Sequence, residues 1–146
     1  MNAQVKPTNR YADLNAQLIE AVIRDEKDRV VALLREGASP NANTWEMGVT
    51  MTALMIASRD RLKGEIVNIL LSAGAYVHTQ TEKGNTALHY ACRALHFSAV
   101  VSLLIAGACK KTKNENGCAP FQVIPGYSGG DFKKMWDLVG PAPMPQ

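Results

Sequence analysis

The sequence predicts an all-α solenoid, a stack of helix-loop-helix units joined by projecting, β-hairpin-like loops. Three observations carry that expectation. An apolar run closing on Gly-Ala recurs at Leu33–Ala38, Leu70–Ala75 and Leu103–Ala108. A short helix opening recurs as Ala16-Gln17-Leu18-Ile19, Thr52-Ala53-Leu54-Met55, Thr86-Ala87-Leu88-His89 and Ala119-Pro120-Phe121-Gln122. The two keep step. Successive openings lie 36, 34 and 33 residues apart, and each precedes its glycine by 21 or 22 residues, with Gly140 closing the fourth.

Taken in order, residues 1–12 read as a disordered segment and 13–140 as the repeat domain. The units run about 13–43, 44–80, 81–113 and 114–140, followed by a disordered tail over 141–146. Asp13 is the expected N-cap of the first inner helix, which carries Gln17, Glu20, Arg24 and Asp25 because an end unit meets water on one side. The second helices hold Val30, Val31, Leu33 and Leu34, then Ile66, Val67, Ile69, Leu70 and Leu71, then Val100, Val101, Leu103 and Leu104. Such spacing makes a broad apolar stripe that no single unit can bury, so units must stack. Gly37, Gly74 and Gly107 stand where the chain leaves those helices with positive φ.

Thr52 and Thr86 can cap inner helices through their hydroxyls, and Pro120 suits a first helical turn. Gly84 and Gly117 mark tight tips ahead of two openings. In the fourth unit, Pro125-Gly126 and Gly129-Gly130 should stop the inner helix after about two turns. Asp131 should then cap a last helix, in which Phe132, Met135, Trp136 and Val139 share one face and cover the open end of the core.

These motifs resemble the ankyrin repeat, whose pattern is T-P-L-H-x-A, a second helix, then G-A. Thr86-Ala87-Leu88-His89-Tyr90-Ala91 matches best, with Ala in the Pro place, whereas Thr52–Ala57 has Met55 in the His place. The resemblance covers roughly residues 13–140. It implies that His89 pins its loop by local hydrogen bonds, that His96 occupies the inter-helix turn, and that a concave face of inner helices and loop tips binds a protein partner. Position along that face gives Arg59, Asp60, Glu82, Lys83, Asn85, Tyr90, Arg93, Glu115 and Asn116 as contacts.

The first loop is three residues longer than the base period and carries Trp45, Met47, Val49 and Met51. Apolar residues in a projecting loop point to a contact site, with Trp45 as anchor and Met47 and Met51 beside it. The alternative is that the loop folds back and packs Trp45 on its neighbours.

Composition bounds the rest. The 146 residues are 47% hydrophobic, enough for one domain with its own core and too apolar for a disordered chain. No run suits a membrane span, and the first ten residues lack the apolar stretch of a secretory signal. Cys92, Cys109 and Cys118 cannot all pair and no Asn-x-Ser/Thr sequon occurs, so a cytoplasmic, reducing setting is expected, with non-classical export left open.

No nucleophile elbow, phosphate loop or metalloprotease motif occurs. The expectation is a non-catalytic, monomeric binding module without cofactor or metal, acting as a stoichiometric inhibitor, an adaptor or a bacterial effector or immunity protein. Two rivals stand beside it. His89, Cys92 and His96 share a helical spacing that could hold a metal in a sensor or enzyme. Lys110, Lys111 and Lys113 could hold nucleic acid, although a net charge of +3 is mild for that role.

Overall fold

The computed structural model describes residues 10–126 and 129–142. The elements are α1 (Arg10–Ile23), α2 (Lys27–Glu36), β1 (Asn43–Glu46), β2 (Val49–Thr52), α3 (Ala53–Ser58), α4 (Gly64–Ser72), α5 (Ala87–Arg93), α6 (Phe97–Ile105), a 3-10 turn (Pro120–Val123) and α7 (Gly130–Val139). Inner helices α1, α3 and α5 touch in succession, and the 3-10 turn packs on α5. Outer helices α2, α4, α6 and α7 form the second layer in the same order. The architecture is therefore the expected helical stack. Among the described residues, a ladder of strands forms in the first loop alone.

The core runs unbroken between the layers: Leu18 and Val22, then Leu54, Ile66 and Leu70, then Leu88, Val100 and Leu103 are all essentially inaccessible. The outer helices bury Val30 and Leu33, then Ile66, Val67 and Leu70, then Val100 and Leu103. Val31, Leu34, Ile69, Leu71 and Leu104 of the same stripes are half-buried, and Val101 turns to solvent.

Local chemistry sets the helix ends. Thr52 Oγ1 accepts the Met55 N–H at 3.2 Å and Thr86 Oγ1 accepts the His89 N–H at 3.4 Å. Met55 and His89 answer in kind: the Met55 sulfur faces the Thr52 N–H at 3.5 Å, and His89 Nδ1 accepts the Thr86 N–H at 3.1 Å. Gly37, at φ 107°, closes α2 by donating to the carbonyls of that helix's last turn, and Gly74 and Gly107 repeat the left-handed exit.

The ends depart from expectation. Helix α1 begins at Arg10, so Asp13 lies in its first turn and is not the N-cap, and residues 10–12 are helical. The expected disorder of 1–9 and 143–146 falls outside the described residues. Pro141 and Ala142 are described, and Trp136 Nε1 donates to the Ala142 carbonyl at 2.9 Å. The fourth inner helix is one 3-10 turn, shorter than the two turns expected. Ile124 is extended (φ −67°, ψ 124°) ahead of Pro125, as a residue preceding proline prefers. Asp131 stands in the first turn of α7, whose N-cap is Gly129. The covering face forms as expected. Phe132, Met135 and Val139 are buried, and Trp136 meets Phe121 edge-on at 5.2 Å between ring centroids.

Candidate protein-binding face

The extended first loop is a regular hairpin. Its pairs are Asn43↔Thr52, Thr44↔Met51, Trp45↔Thr50 and Glu46↔Val49. Met47 (φ 53°) and Gly48 (φ 81°) form its tip, the two consecutive positive φ values that a tight two-residue turn demands. Glycine takes that conformation freely, whereas Met47 does so at a cost of about 1 kcal/mol.

This register divides the loop's apolar residues between two faces. Val49 and Met51 turn inward and are 5% and 2% exposed, so the expectation that they project into water is overturned. Met51 is part of the core. Trp45 is 67% exposed and Met47 83%, so Trp45 does not fold back onto its neighbours. Trp45 shares its face with Thr50, opposite the face of Glu46 and Val49.

On the inward side of the hairpin lies a groove of about 380 Å³. Val49, Met51 and Ala94 form its floor, Glu46, Met47 and Arg59 one wall, and Lys83, Asn85, Tyr90 and Arg93 the other. The structure thus brings together Met47, Met51, Arg59, Lys83, Asn85, Tyr90 and Arg93 from the sequence-based set. Trp45 does not line the groove, and neither do Asp60, Glu82, Glu115 or Asn116.

Several of these side chains are committed to the fold. Asn85 is buried and accepts from Asn114 Nδ2 at 3.0 Å, so the expectation that it offers its side chain to a partner is corrected: it ties two loops together. Arg59 pairs with Glu46 at 2.7 Å, and Glu46 Oε2 is shielded without a hydrogen bond among the described residues. Glu82 accepts from the Thr50 N–H at 2.7 Å and its hydroxyl at 2.6 Å, which holds the carboxyl below its ordinary range. Asp60 pairs with Lys63 and accepts from the Leu62 N–H, with the same result. Glu115 and Asn116 are exposed near the third tip.

Lys83 and Arg93 are exposed, with no carboxylate at ion-pair distance among the described residues. The Arg93 guanidinium carbon lies 5.8 Å from the Tyr90 ring centroid. Sequence reasoning missed the Glu46–Arg59 pair and the Thr50–Glu82 clasp. The Met47-Gly48 turn signal was there to place Glu46 and Trp45 on opposite faces.

The metal reading fails on geometry. His89 Nε2 donates to the Cys118 carbonyl at 2.9 Å, toward the fourth unit. His96 Nδ1 donates to the Ser58 carbonyl at 3.1 Å, toward the second. The two rings face opposite neighbours, and no group of metal-ligating side chains assembles among the described residues. Burial lowers both imidazole pKa values and pushes the Cys92 thiol up to about 12. Lys110, Lys111 and Lys113 border a separate hollow with Phe121 and Val139. No helix among the described residues is long and apolar enough to cross a membrane.

Comparison with known proteins agrees with this architecture. The pattern of ankyrin repeats, in three copies, matches residues 18–115. The human SH3 and multiple ankyrin repeat domains protein 1 is 31% identical over 104 residues, 71% of this chain and 5% of that protein. The human transient receptor potential cation channel subfamily A member 1 is 34% identical over 107 residues, 73% of this chain and 9% of the channel. A putative ankyrin repeat protein of fowlpox virus is 34% identical over 109 residues, 74% of this chain and 31% of its own length. The chain therefore spans only a small part of the relatives it matches. With the capped helix pairs, the left-handed exits and the histidine that bridges two loops, these matches establish that the chain belongs to the ankyrin repeat family.

Proposed function

We propose that this chain is a non-catalytic module that holds a protein partner against its hairpin and inner-helix face, working by occupancy as an inhibitor or adaptor. The observation that carries the reading is the groove between the first hairpin and α5, walled by Met47, Arg59, Lys83, Tyr90 and Arg93. Its walls rise from capped helices and a laddered hairpin, so binding forfeits little ordering entropy. Trp45 adds a second contact on the outer side of the same hairpin, where an exposed indole is a favoured anchor. Ankyrin repeats serve generally as protein-interaction modules, which agrees with this reading.

The test is affinity capture with three chains side by side: wild type, Trp45→Ala, and the double variant Tyr90→Ala/Arg93→Ala. All three should show the same cooperative unfolding. Proteins retained by wild type and lost from the double variant are the expected result, with Trp45→Ala weakening retention by about 2 kcal/mol. Identical protein sets on all three chains would refute the reading.

A further inference from the structure

We infer that the groove accepts a peptide segment that presents a carboxylate side chain next to an apolar one. This rests on the protein-binding reading and names the chemistry of the partner. The argument begins with which charges are already answered. Glu46, the one carboxylate among the lining residues, is matched by Arg59, and Asp60, outside the groove, by Lys63. Glu82 keeps its charge under two neutral donors of Thr50 but also lies outside the lining. Lys83 and Arg93 have no such match among the described residues. The unanswered charge along the groove is therefore positive, and it sits on one wall.

The two cations differ in what they offer. The Arg93 guanidinium, 5.8 Å from the Tyr90 ring centroid, brings the planar fork of donors that can bind a carboxylate in a bidentate way. Lys83 adds a mobile point charge beside it. Facing this wall, the hairpin's inner face supplies a floor of Val49 and Met51, and Met47 at its tip, 83% exposed, lines the groove as well. Thioether side chains adapt to the shape of an incoming aliphatic or aromatic group. A ligand that satisfies the whole groove must thus bring negative charge and apolar surface together.

Two other occupants fit less well. A basic peptide would meet Lys83 and Arg93 and find Glu46 already paired. A nucleic acid strand needs a cationic track along its backbone and a series of stacking rings. This groove offers two unmatched cations, an aliphatic floor and the one ring of Tyr90.

The test is selection of short random peptides displayed against the full chain, run in parallel on Lys83→Glu/Arg93→Glu. Both positions are exposed, and an unchanged urea midpoint checks that the variant folds. Wild type should enrich peptides with Asp or Glu beside Leu, Ile, Phe or Met. Exchanging that acid for its amide should weaken binding about tenfold. The charge-reversed chain should lose these peptides and enrich Lys or Arg in their place. Enriched peptides without acid preference that are lost on Tyr90→Ala would overturn this inference while leaving the protein-binding groove intact. Enriched peptides that bind Tyr90→Ala equally well, or no enrichment at all, would overturn both. Tight, salt-sensitive binding of a labelled oligothymidylate strand that fails on the charge-reversed chain would overturn the inference in favour of nucleic acid.

Discussion

His89 and Cys118, 29 residues apart in sequence, are joined by a 2.9 Å hydrogen bond from the imidazole Nε2 to the backbone carbonyl. The other ring nitrogen accepts the Thr86 N–H, which fixes the tautomer with its proton on Nε2. One side chain thus caps its own helix and ties it to the next unit. In the second unit Met55 performs the capping half of this task alone, since a thioether has no proton to donate.

That comparison yields a graded prediction. His89→Ala leaves the Thr86 N–H without an acceptor, strips the Cys118 carbonyl of one of its two donors (the Asn114 N–H remains, at 3.0 Å) and opens a void, so it should destabilise the chain by about 2–3 kcal/mol. His89→Met supplies bulk and a weak acceptor but no donor, so it should cost less than the alanine variant and more than nothing. Urea unfolding of the three chains measures the order.

Mild acid should weaken the fold through two buried imidazoles. Burial is the largest cause of the lowered pKa of His89 and His96, outweighing the carbonyls of Cys118 and Ser58. The unfolded chain therefore binds more protons than the folded one below the ordinary value of 6.5. The stability contributed by the neutral rings is fully present above that value and is lost as pH falls through the folded values. The urea midpoint should drop between about pH 7.5 and about pH 5.5. A double His89→Gln/His96→Gln chain should show a flatter profile. An equally steep profile would show that these rings are not its source.

Two glycines with the same dihedral separate backbone strain from crowding. Gly84 and Gly117 have φ 75° and 74°. A Cβ on Gly84 would stand 2.9 Å from the Asn114 Cα and 3.0 Å from the Glu115 nitrogen, whereas one on Gly117 meets nothing within 4 Å. Gly117→Ala should cost about 1 kcal/mol for its left-handed φ alone. Gly84→Ala should cost clearly more, because backbone must move and the bond from the Glu115 N–H to the Lys83 carbonyl is disturbed. Paired thermal melts report the difference.

The thiols should react in a definite order. Cys109 is exposed, and a hydrogen bond with the Thr112 side chain, aided by Lys111, lowers its pKa. Cys92 is buried and its pKa is raised to about 12. Under native conditions iodoacetamide should modify Cys109 rapidly and leave Cys92 untouched until the chain unfolds. Peptide mapping by mass spectrometry reads the order directly.

Much of this architecture was legible in the sequence because it depends on local rules. The caps at Thr52 and Thr86, the glycine exits and the covering face of α7 each need only a few neighbouring residues. The fourth inner helix is shorter than its sequence suggests because Pro120 favours a helical start while Pro125 acts backwards on Ile124. The inward turn of Met51 is hidden from the sequence for a different reason. Its face depends on hairpin register, and a slip of one residue would exchange it with Thr50. The groove's polar wiring was beyond sequence reasoning, since Glu46–Arg59 spans 13 residues and Thr50–Glu82 spans 32.

The bonds between loops carry a consequence for truncation. Ending the chain before Asn114 would delete more than a terminal segment, for His89 would lose its acceptor at Cys118 and Asn85 its donor at Asn114. Damage at that boundary would travel one step inward and loosen the wall that bears Tyr90 and Arg93. The last quarter of the molecule is in this sense a buttress for the middle, and shortening it from the C-terminus should blunt ligand capture before it abolishes helix content.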